Sequence, residues 1–457
     1  MSEHAYLGTA FHAPAHDRLE VLTDALIVVD ATGTITAIHP AGPPEIDRFR
    51  AAGQLTELKS GQYLLPGLVD LHVHAPQWPQ LGKALDVPLE VWLQKYTFPL
   101  EARYADTEFA EPIYDSLVES LLANGTTTAL YFATIHLPAT ELLADICLRR
   151  GQRALIGRVA MDDPQQCPDY YRDASAEAGT ADTRAFIDYV RAMPGNTAGL
   201  VQPVITPRFI PSCTDDLLHG LGALAKETGC HVQTHCSESD WEHDYVVQRT
   251  GITDTAALER YGLLSRKTVL AHGNFVTDAD IALIRRTGSG IAHCPLSNVY
   301  FSNAVLPVRR LLEADVHIGL GTDIAGGASP SIFDSARQAV IASRGLEGGV
   351  DPALPPDKRG CPDSRITATQ AFWLATAGGG IALDLPIGQF AEGYQFDAIV
   401  VDANAPNDNL RLYPDDAPED VLQKIIYNAG RANVARAWVA GRAVFPTGGI
   451  SAVSHTS

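Results

Sequence analysis

Short apolar runs alternate with amphipathic stretches through the middle of the chain. Helical periodicity over residues 214–228, 278–287 and 305–314 separates several of these runs. Alternating strand and helix patterns of this kind, repeated eight times, predict an α/β fold of the (β/α)8 TIM-barrel type. The eight apolar runs cover residues 68–72, 127–132, 154–160, 199–205, 231–235, 267–272, 290–294 and 316–321.

The two ends of the chain show a different pattern. Residues 25–38 predict a β-hairpin with a turn at 31–34, and strand-like segments recur at 397–402 and 437–445. Each piece is too small to bury a face alone, so we expect them to pair into one discontinuous β-sandwich. The predicted domains are residues 1–66 and 385–457 for the two parts of the sandwich and 67–384 for the barrel. A Gly- and Pro-rich stretch at 345–362 predicts a surface loop after the eighth barrel strand.

Composition narrows the classes of partner. The 457 residues carry 34 Lys and Arg against 54 Asp and Glu, a net charge of −20, which argues against a nucleic-acid-binding groove. The N-terminus does not resemble a secretion signal, and no apolar stretch reaches the roughly 18 residues that a membrane span needs. Seven cysteines without a CxxC pair are typical of reduced thiols. We therefore expect a cytoplasmic protein that binds neither nucleic acid nor membrane.

Histidines and an aspartate collect at the predicted carboxyl ends of barrel strands, where barrel enzymes carry their active sites. His72 and His74 end the first run, His235 the fifth and His272 the sixth, and Asp323 follows the eighth. Three neutral imidazoles and a carboxylate form a ligand set that suits Zn²⁺ and also Fe²⁺ or Mn²⁺. Such an ion lowers the pKa of bound water to about 7, so the pattern predicts hydrolysis.

Glu238 follows His235 by three residues, just beyond the fifth predicted strand. A loop at this position can place its carboxyl group over the metal-bound water, which favours a proton-transfer role over that of a surface residue. The remaining histidines lack such placement: His293 stands at a strand end without an evident task, and His136, His219, His231, His243 and His317 are expected to be structural or exposed.

Five motifs together resemble the metal-dependent amidohydrolase superfamily. They are PGLVDLHVH at 66–74, THCSE at 234–238, AHG at 271–273, HCPLSN at 293–298 and GTD at 321–323. Within that superfamily, further passages resemble the guanine deaminase family. These are PLEVWLQKYTFP at 88–99, NGTTT at 124–128, YFATIH at 131–136, TPRF at 206–209 and GLGTDIAGG at 319–327.

The resemblance implies a site and a reaction. It implies one zinc ion bound by His72, His74, His235 and Asp323, with His272 beside the attacking oxygen and Glu238 and Asp323 transferring protons. The implied reaction is hydrolysis of free guanine to xanthine and ammonia by a single zinc-activated hydroxide, as part of purine catabolism or salvage, in a homodimer. The implied substrate-binding residues are Gln77, Arg208, Phe209 and Leu93. The aromatic ring of Trp92 can also cover a face of the base, and its alternative role is packing under the lid.

Elementary chemistry agrees with parts of this assignment. The guanidinium of Arg208 can donate to guanine O6, and the amide of Gln77 offers both a donor and an acceptor to a purine edge. A two-metal relative would need a bridging lysine from the middle strands, but no lysine lies between Lys95 and Lys226, which favours one metal. Two alternatives remain open: an aminohydrolase for another amino-purine or pterin such as 8-oxoguanine, and a catalytically inactive barrel that binds a ligand.

Overall fold

Sixteen strands form two sheets in the computed structural model, which describes residues 3–40, 42–302 and 304–446. Strands β1 to β5 precede the barrel, β6 to β13 build it, and β14 to β16 follow it. In chain order they are His4–Ala15, Arg18–Val29, Ile35–Pro40, Leu55–Glu57, Gln62–Pro66, Leu68–His74, Thr126–Phe132, Arg153–Ala160, Val201–Pro207, His231–Cys236, Thr268–His272, Gly290–His293, His317–Leu320, Ala398–Asp402, Val434–Val439 and Arg442–Phe445.

The eight central strands confirm the predicted (β/α)8 barrel. Strands β6 to β13 pair in parallel, each with its neighbour in the sequence. Two backbone hydrogen bonds close the barrel between β6 and the segment that follows β13. The Asp323 N–H donates to the His72 carbonyl at 2.8 Å, and the His74 N–H donates to the Ile324 carbonyl at 2.9 Å. Apolar side chains such as Leu71, Leu130 and Val204 fill the interior, so the barrel is a packed core with its chemistry at one end.

The described part of the chain has sixteen α-helices, several of them single turns. Helix α1 packs on the terminal sheet, and most of the others surround the barrel or connect its strands. Short 3₁₀ or π turns occupy Ala75–Gln80, Leu93–Thr97, Ala102–Ala105, Ile210–Ser212, Asn298–Ser302, Pro356–Lys358 and Arg431–Asn433. Helices α1 to α16 are Pro43–Ala51, Leu89–Trp92, Phe98–Glu101, Thr107–Ala123, Leu137–Arg150, Ala176–Ala192, Asp215–Thr228, Asp240–Thr250, Asp254–Arg260, Asp278–Thr287, Pro295–Ser297, Val308–Glu313, Ile332–Gly348, Ala368–Ala375, Ala377–Ala382 and Pro418–Asn428.

Capping explains why the helices predicted at 214–228 and 278–287 agree with the structure to within one residue, whereas the one predicted at 305–314 spans only Val308–Glu313. At the start of α7, the Thr214 hydroxyl accepts the Leu217 N–H, and Gly229 ends that helix in the left-handed region. A reciprocal capping box between Thr277 and Asp280 begins α10 in the same way. Helix α13 runs to Gly348, three residues past the start of the predicted 345–362 loop. Among the described residues, no helix is both long and apolar enough to cross a membrane.

The remaining strands join the two ends of the chain into one sheet, in the order β16-β15-β14-β5-β1-β2-β3 with β4 beside β1. Tyr6 of β1 and Trp438 of β15 stand three strands apart, about 14 Å in a flat sheet. Their ring centroids are nevertheless 5.3 Å apart, and Tyr6 also stacks on Phe396 at 4.0 Å. The sheet therefore curls until its two halves pack face to face, which confirms the predicted sandwich of terminal segments.

Three features of the terminal segments were not predicted from the sequence: strand β1, helix α16 and a buried ion pair. Strand β1 and helix α16 lie in segments whose patterns are irregular. A buried ion pair attaches the C-terminal segment to the barrel: Arg153 Nε and Nη2 donate to the two carboxylate oxygens of Asp397 at 2.7 and 3.0 Å. The predicted boundaries at 66/67 and 384/385 fall between β5 and β6 and between α15 and β14, and they stay predictions.

Candidate active site

Four histidines and one aspartate meet at the mouth of the barrel. Because residues i and i+2 of a strand face the same side, β6 directs His72 and His74 toward the axis. Asp323 Oδ1 lies 3.2 Å from His72 Nε2 and 3.4 Å from His74 Nε2, and His74 Nε2 lies 3.1 Å from His235 Nε2. His272, at the end of β11, borders the same cluster. The side chains that the sequence places at strand ends therefore converge in space.

The nitrogen and oxygen atoms of this cluster fit a metal ion. His235 Nδ1 lies 2.6 Å from the Arg208 carbonyl, so Nδ1 carries the proton and Nε2 presents a lone pair to the cluster. Burial lowers the pKa of His72, His74 and His235 well below the usual value, which keeps the rings neutral. A tetrahedral zinc site with ligands at about 2.0–2.1 Å has edges of about 3.3 Å. Three of the six ligand-to-ligand separations, at 3.1–3.4 Å, match those edges.

Unusual backbone conformations hold several of these residues in place. His272, Asp323 and Ser237 have φ angles of 72°, 50° and 49°, in the left-handed region that residues with a side chain rarely adopt. Each such residue costs on the order of 1–3 kcal/mol and persists where the surrounding structure enforces it. The strain coincides with the turns that carry the cluster, as is typical of a functional site.

Asp70 is a buried carboxyl group that the sequence did not identify as part of the site. It accepts the Thr322 N–H at 2.9 Å, the Thr322 hydroxyl at 2.6 Å and the His72 N–H at 3.2 Å. Burial raises the pKa of Asp70 to about 7. Its bonds tie β6 to the segment that carries Asp323, and so fix the spacing between two of the cluster residues.

Glu238 lies on the other side of the cluster, next to His272. Its Oε2 is 3.7 Å from His272 Nε2, and its backbone N–H donates to Glu242 Oε2 at 2.7 Å. Burial, reinforced by the nearby charge of Asp323, raises the pKa of Glu238 well above the usual value, which favours the protonated acid. His272 Nδ1 donates to Asn298 Oδ1 at 2.9 Å, leaving Nε2 to face Glu238 and Asp323.

A cavity opens directly over the cluster. All five residues predicted to bind substrate, namely Gln77, Trp92, Leu93, Arg208 and Phe209, line it together with Glu238 and three of the cluster residues. The sequence did not identify Leu89, Phe301 or Gly326, which also line the cavity. The complete lining is His74, Gln77, Leu89, Trp92, Leu93, Arg208, Phe209, His235, Glu238, Phe301, Asp323 and Gly326.

Aromatic rings form two sides of this cavity. The Trp92 and Phe301 centroids lie 5.1 Å apart, and Phe209 stands edge-on to His235 at 6.1 Å. Such walls accept a flat, largely apolar ring face, while Arg208 and Gln77 supply polar contacts at its edge.

The sequence also missed Glu101, Asn298 and Glu242, which contact Arg208, His272 and Glu238 respectively. Asn298 ends the HCPLSN motif at 293–298 but was not singled out as a site residue, and none of the sequence motifs includes Glu101 or Glu242. Only the folded chain brings each of the three beside its partner.

The histidines expected to be structural lie away from the lining described above. His231 Nε2 lies 2.8 Å from the Leu383 carbonyl, and His317 Nδ1 lies 3.0 Å from that of Gly288. His219 packs against Tyr261, His136 against Tyr171, and His243 faces Asp254. His293 is buried at the end of β12, beneath the cluster residues.

Barrel architecture and a buried histidine–aspartate cluster at the mouth together define the class of barrel hydrolases with a metal site. Residues 63–444 match the amidohydrolase family. The chain belongs to the amidohydrolase family, which confirms the resemblance drawn from its motifs.

Three relatives illustrate which members the chain is similar to. It is 38% identical over 452 residues to a probable guanine deaminase of Schizosaccharomyces pombe, covering 96% of this chain and 83% of the relative. The crystal structure of C. acetobutylicum guanine deaminase with guanine in its active site has a TM-score of 0.87 at 30% identity, over 97% and 100% of the two chains. A zinc-bound adenosine deaminase of Xanthomonas campestris has a TM-score of 0.79 at 27% identity, over 96% and 92%.

Proposed function

We propose that the protein hydrolyses free guanine to xanthine and ammonia at a single metal site, with zinc as the preferred ion. One observation carries the proposal: a single cavity is lined by Arg208 and Gln77 together with the buried Glu238 and three residues of the histidine–aspartate cluster. The similarity to guanine deaminases supports guanine as the substrate. Free guanine, rather than nucleic acid, suits a chain with a net charge of −20.

Recognition of the base is assigned to the polar wall of the cavity. Arg208 donates to the O6 and N7 edge of guanine, and the amide of Gln77 can both donate and accept at a mixed purine edge. Phe209, Trp92 and Leu93 cover the ring faces. This arrangement leaves C2 and its amino group to point at the cluster, where hydrolysis takes place.

The metal would be held by His72, His74, His235 and Asp323. A bound zinc ion supplies Lewis acidity that lowers the pKa of water to about 7. Three neutral imidazoles and one carboxylate also suit Fe²⁺ and Mn²⁺, which are the less favoured ions here.

The chain's own residues move the protons. The oxygen of the attacking water bonds to C2 while Asp323 accepts one of the two water protons. Glu238, which is protonated in its buried setting, donates its proton to N3, the ring nitrogen next to C2. Asp323 then passes its proton to the amino group, the C2–N bond breaks, and ammonia leaves. The remaining hydroxyl proton returns to Glu238. His272 Nε2 faces both carboxyl groups and accepts a hydrogen bond from the attacking water.

Turnover of guanine by purified protein tests this proposal. We expect loss of guanine absorbance with stoichiometric release of ammonia, abolished by chelation and restored by zinc. Glu238→Gln keeps the shape of the side chain but cannot cycle a proton, so it is expected to retain metal and lose about 100- to 10,000-fold in kcat.

A substrate panel separates the alternatives. Absence of turnover on guanine, 8-oxoguanine, adenine, cytosine and pterins by metal-loaded protein would contradict an enzymatic function and favour the inactive barrel. Preference for another member of the panel would reassign the substrate alone. The expected homodimer and cytoplasmic location rest on the sequence and its resemblance, and they stay predictions.

A further inference from the structure

Glu101 is a fully buried carboxylate that contacts both polar residues of the cavity wall without lining the cavity itself. Its Oε2 accepts Arg208 Nη1 at 2.7 Å, and its Oε1 accepts Arg208 Nη2 at 3.2 Å and Gln77 Nε2 at 2.8 Å. Glu101 has no exposed surface and Arg208 only 2%. An ion pair this deep is not screened by water, so it fixes the geometry of both partners.

The pairing determines which donors Arg208 has left. A guanidinium has five N–H groups in one plane, and the two-pronged contact with Glu101 uses one on each terminal nitrogen. The Nε–H and one N–H on each terminal nitrogen remain for other partners. The face of the same guanidinium lies over the Phe98 ring, with 5.0 Å from the central carbon to the ring centroid. Its plane and its direction are therefore both set before a ligand enters.

Gln77 is oriented in the same way. Glu101 accepts only, so it selects the Nε2 end of the amide, and the Ala325 N–H donates to Oε1 at 3.1 Å from the opposite side. These two partners exclude the flipped orientation of the amide, in which Oε1 and Nε2 exchange places. One N–H and one lone pair of Gln77 remain available to the cavity.

Glu101 belongs to a helical segment that also forms the apolar wall. Leu89, Trp92 and Leu93 line the cavity. The π turn Leu93–Thr97 begins at the last of them and leads into the helix Phe98–Glu101. The widened turn changes the helical register, a device often found at functional sites. Glu101 therefore links this segment to both Gln77 and Arg208.

We propose that Glu101 is a positioning and specificity-determining residue: it aims the donors of Arg208 and Gln77 and cancels the guanidinium charge, so the cavity selects a neutral planar base over an anionic one. This inference rests on the proposed function for its substrate. Without Glu101, the same Arg208 would be an unpaired cation in a closed cavity, and it would attract anions.

Glu101→Gln tests the proposal because it keeps the size of the side chain and removes its charge. The probes are guanine and urate, a purine that is an anion at neutral pH. We expect the KM for guanine to rise about thirtyfold with a smaller change in kcat, and the inhibition constant of urate to fall about tenfold. Glu101→Asp keeps the charge, so it should weaken guanine binding while urate remains a poor ligand.

Asp397→Asn is the matched control, since it also breaks a buried carboxylate–arginine pair, but between the barrel and the C-terminal segment. It should lower the thermal midpoint without changing the preference for guanine over urate. If Glu101→Gln leaves that preference within about twofold of the wild type, or if Asp397→Asn shifts it equally, the proposal is overturned. If Glu101→Gln does not fold, Glu101→Asp decides, and an unchanged guanine KM in that variant contradicts the proposal.

Binding measurements distinguish a failure of the Glu101 proposal from a failure of the proposed reaction. Dissociation constants of guanine and urate, measured by calorimetry, do not require turnover. A wild-type protein that binds guanine without hydrolysing it would refute the proposed reaction, while the change in preference would still test Glu101.

Discussion

The barrel mouth and the terminal sheet are both buried, but they are built from opposite kinds of side chain. In the sheet, Tyr6, Phe396 and Trp438 pack ring against ring. At the mouth, His72 Nε2 and His272 Nε2 are buried without a hydrogen-bond partner, and neighbouring residues adopt strained φ angles. The sheet has such departures too, at His12 Nε2 and at the positive φ angles of Asp24 and Ala440. At the mouth, however, they coincide with a cluster of buried titratable side chains, where chemistry is expected.

The contrast indicates which region stabilises the fold and which one depends on that stability. Buried polar atoms without partners cost free energy, and left-handed backbone adds to that cost. The packed barrel and the terminal sheet must offset both. Substitutions at the mouth should therefore alter function more than stability, and substitutions in the sheet should do the reverse.

Removing a predicted metal ligand should give the largest effect. For His74→Ala we expect metal binding to fail and turnover to drop by about 10⁴-fold or more, because the water-activating ion is lost. After chelation, the free energy of unfolding of this variant should equal or exceed that of the wild type, since a buried polar ring is gone. Metal content, kcat and denaturant unfolding measure these outcomes. Full metal content in this variant would show that His74 is not a metal ligand.

Trp438→Ala tests the contribution of the terminal sheet to stability. Losing a large buried aromatic should lower the free energy of unfolding by about 3–5 kcal/mol. Because Trp438 lies in the terminal sheet, kcat and KM measured below the unfolding transition should stay at wild-type values. A selective loss of activity in the folded variant would show that the two regions are not separable.

Gln77→Ala separates substrate binding from metal binding within the barrel mouth. Its amide contacts Glu101 and the Ala325 N–H and lines the cavity, but it is not a predicted metal ligand. We expect kcat/KM for guanine to fall about thirtyfold, mainly through KM, with metal content unchanged. Loss of metal instead would mean that Gln77 supports the cluster.

The smallest effect concerns pH and His243 at the edge of the mouth. The Asp254 carboxylate, with Oδ2 at 3.4 Å from His243 Nδ1, raises the pKa of His243 above its usual 6.5. The stabilisation this gives is fully present below about pH 6.5 and is lost as pH rises through the higher folded-state pKa. Since the ring is partly exposed, the contribution should stay below about 1 kcal/mol.

Comparing wild type with His243→Gln in unfolding experiments at acid and alkaline pH checks this prediction. The stability difference between the two proteins should be larger at the acid end. A difference that grew toward alkaline pH would contradict the direction of the shift.

How far the sequence predicts the structure also differs between residues. The strand ends that carry His72, His74, His235 and Asp323 follow from local apolar runs, so their convergence could be inferred from barrel geometry. Glu101 could not be found in that way. It lies in a stretch of mixed polarity that is typical of a surface helix, and its burial depends on Arg208, which is 107 residues further along the chain.

The terminal sheet shows the same limit. The hairpin at 25–38 has a clear strand–turn–strand pattern, and the structure confirms it. Strand β1 mixes small, aromatic and polar residues, HAYLGTAFHAPA, and gains its strand conformation by pairing with β2, β4 and β5. Long-range pairing, rather than local preference, decides such segments.

The most direct test of the central claim is ammonia release from guanine, measured while metal-free protein is titrated with zinc. We predict one ammonia for each guanine consumed, with activity rising to a plateau at one zinc per chain. No ammonia from fully loaded protein, or a plateau only at two ions per chain, would contradict a one-metal guanine aminohydrolase.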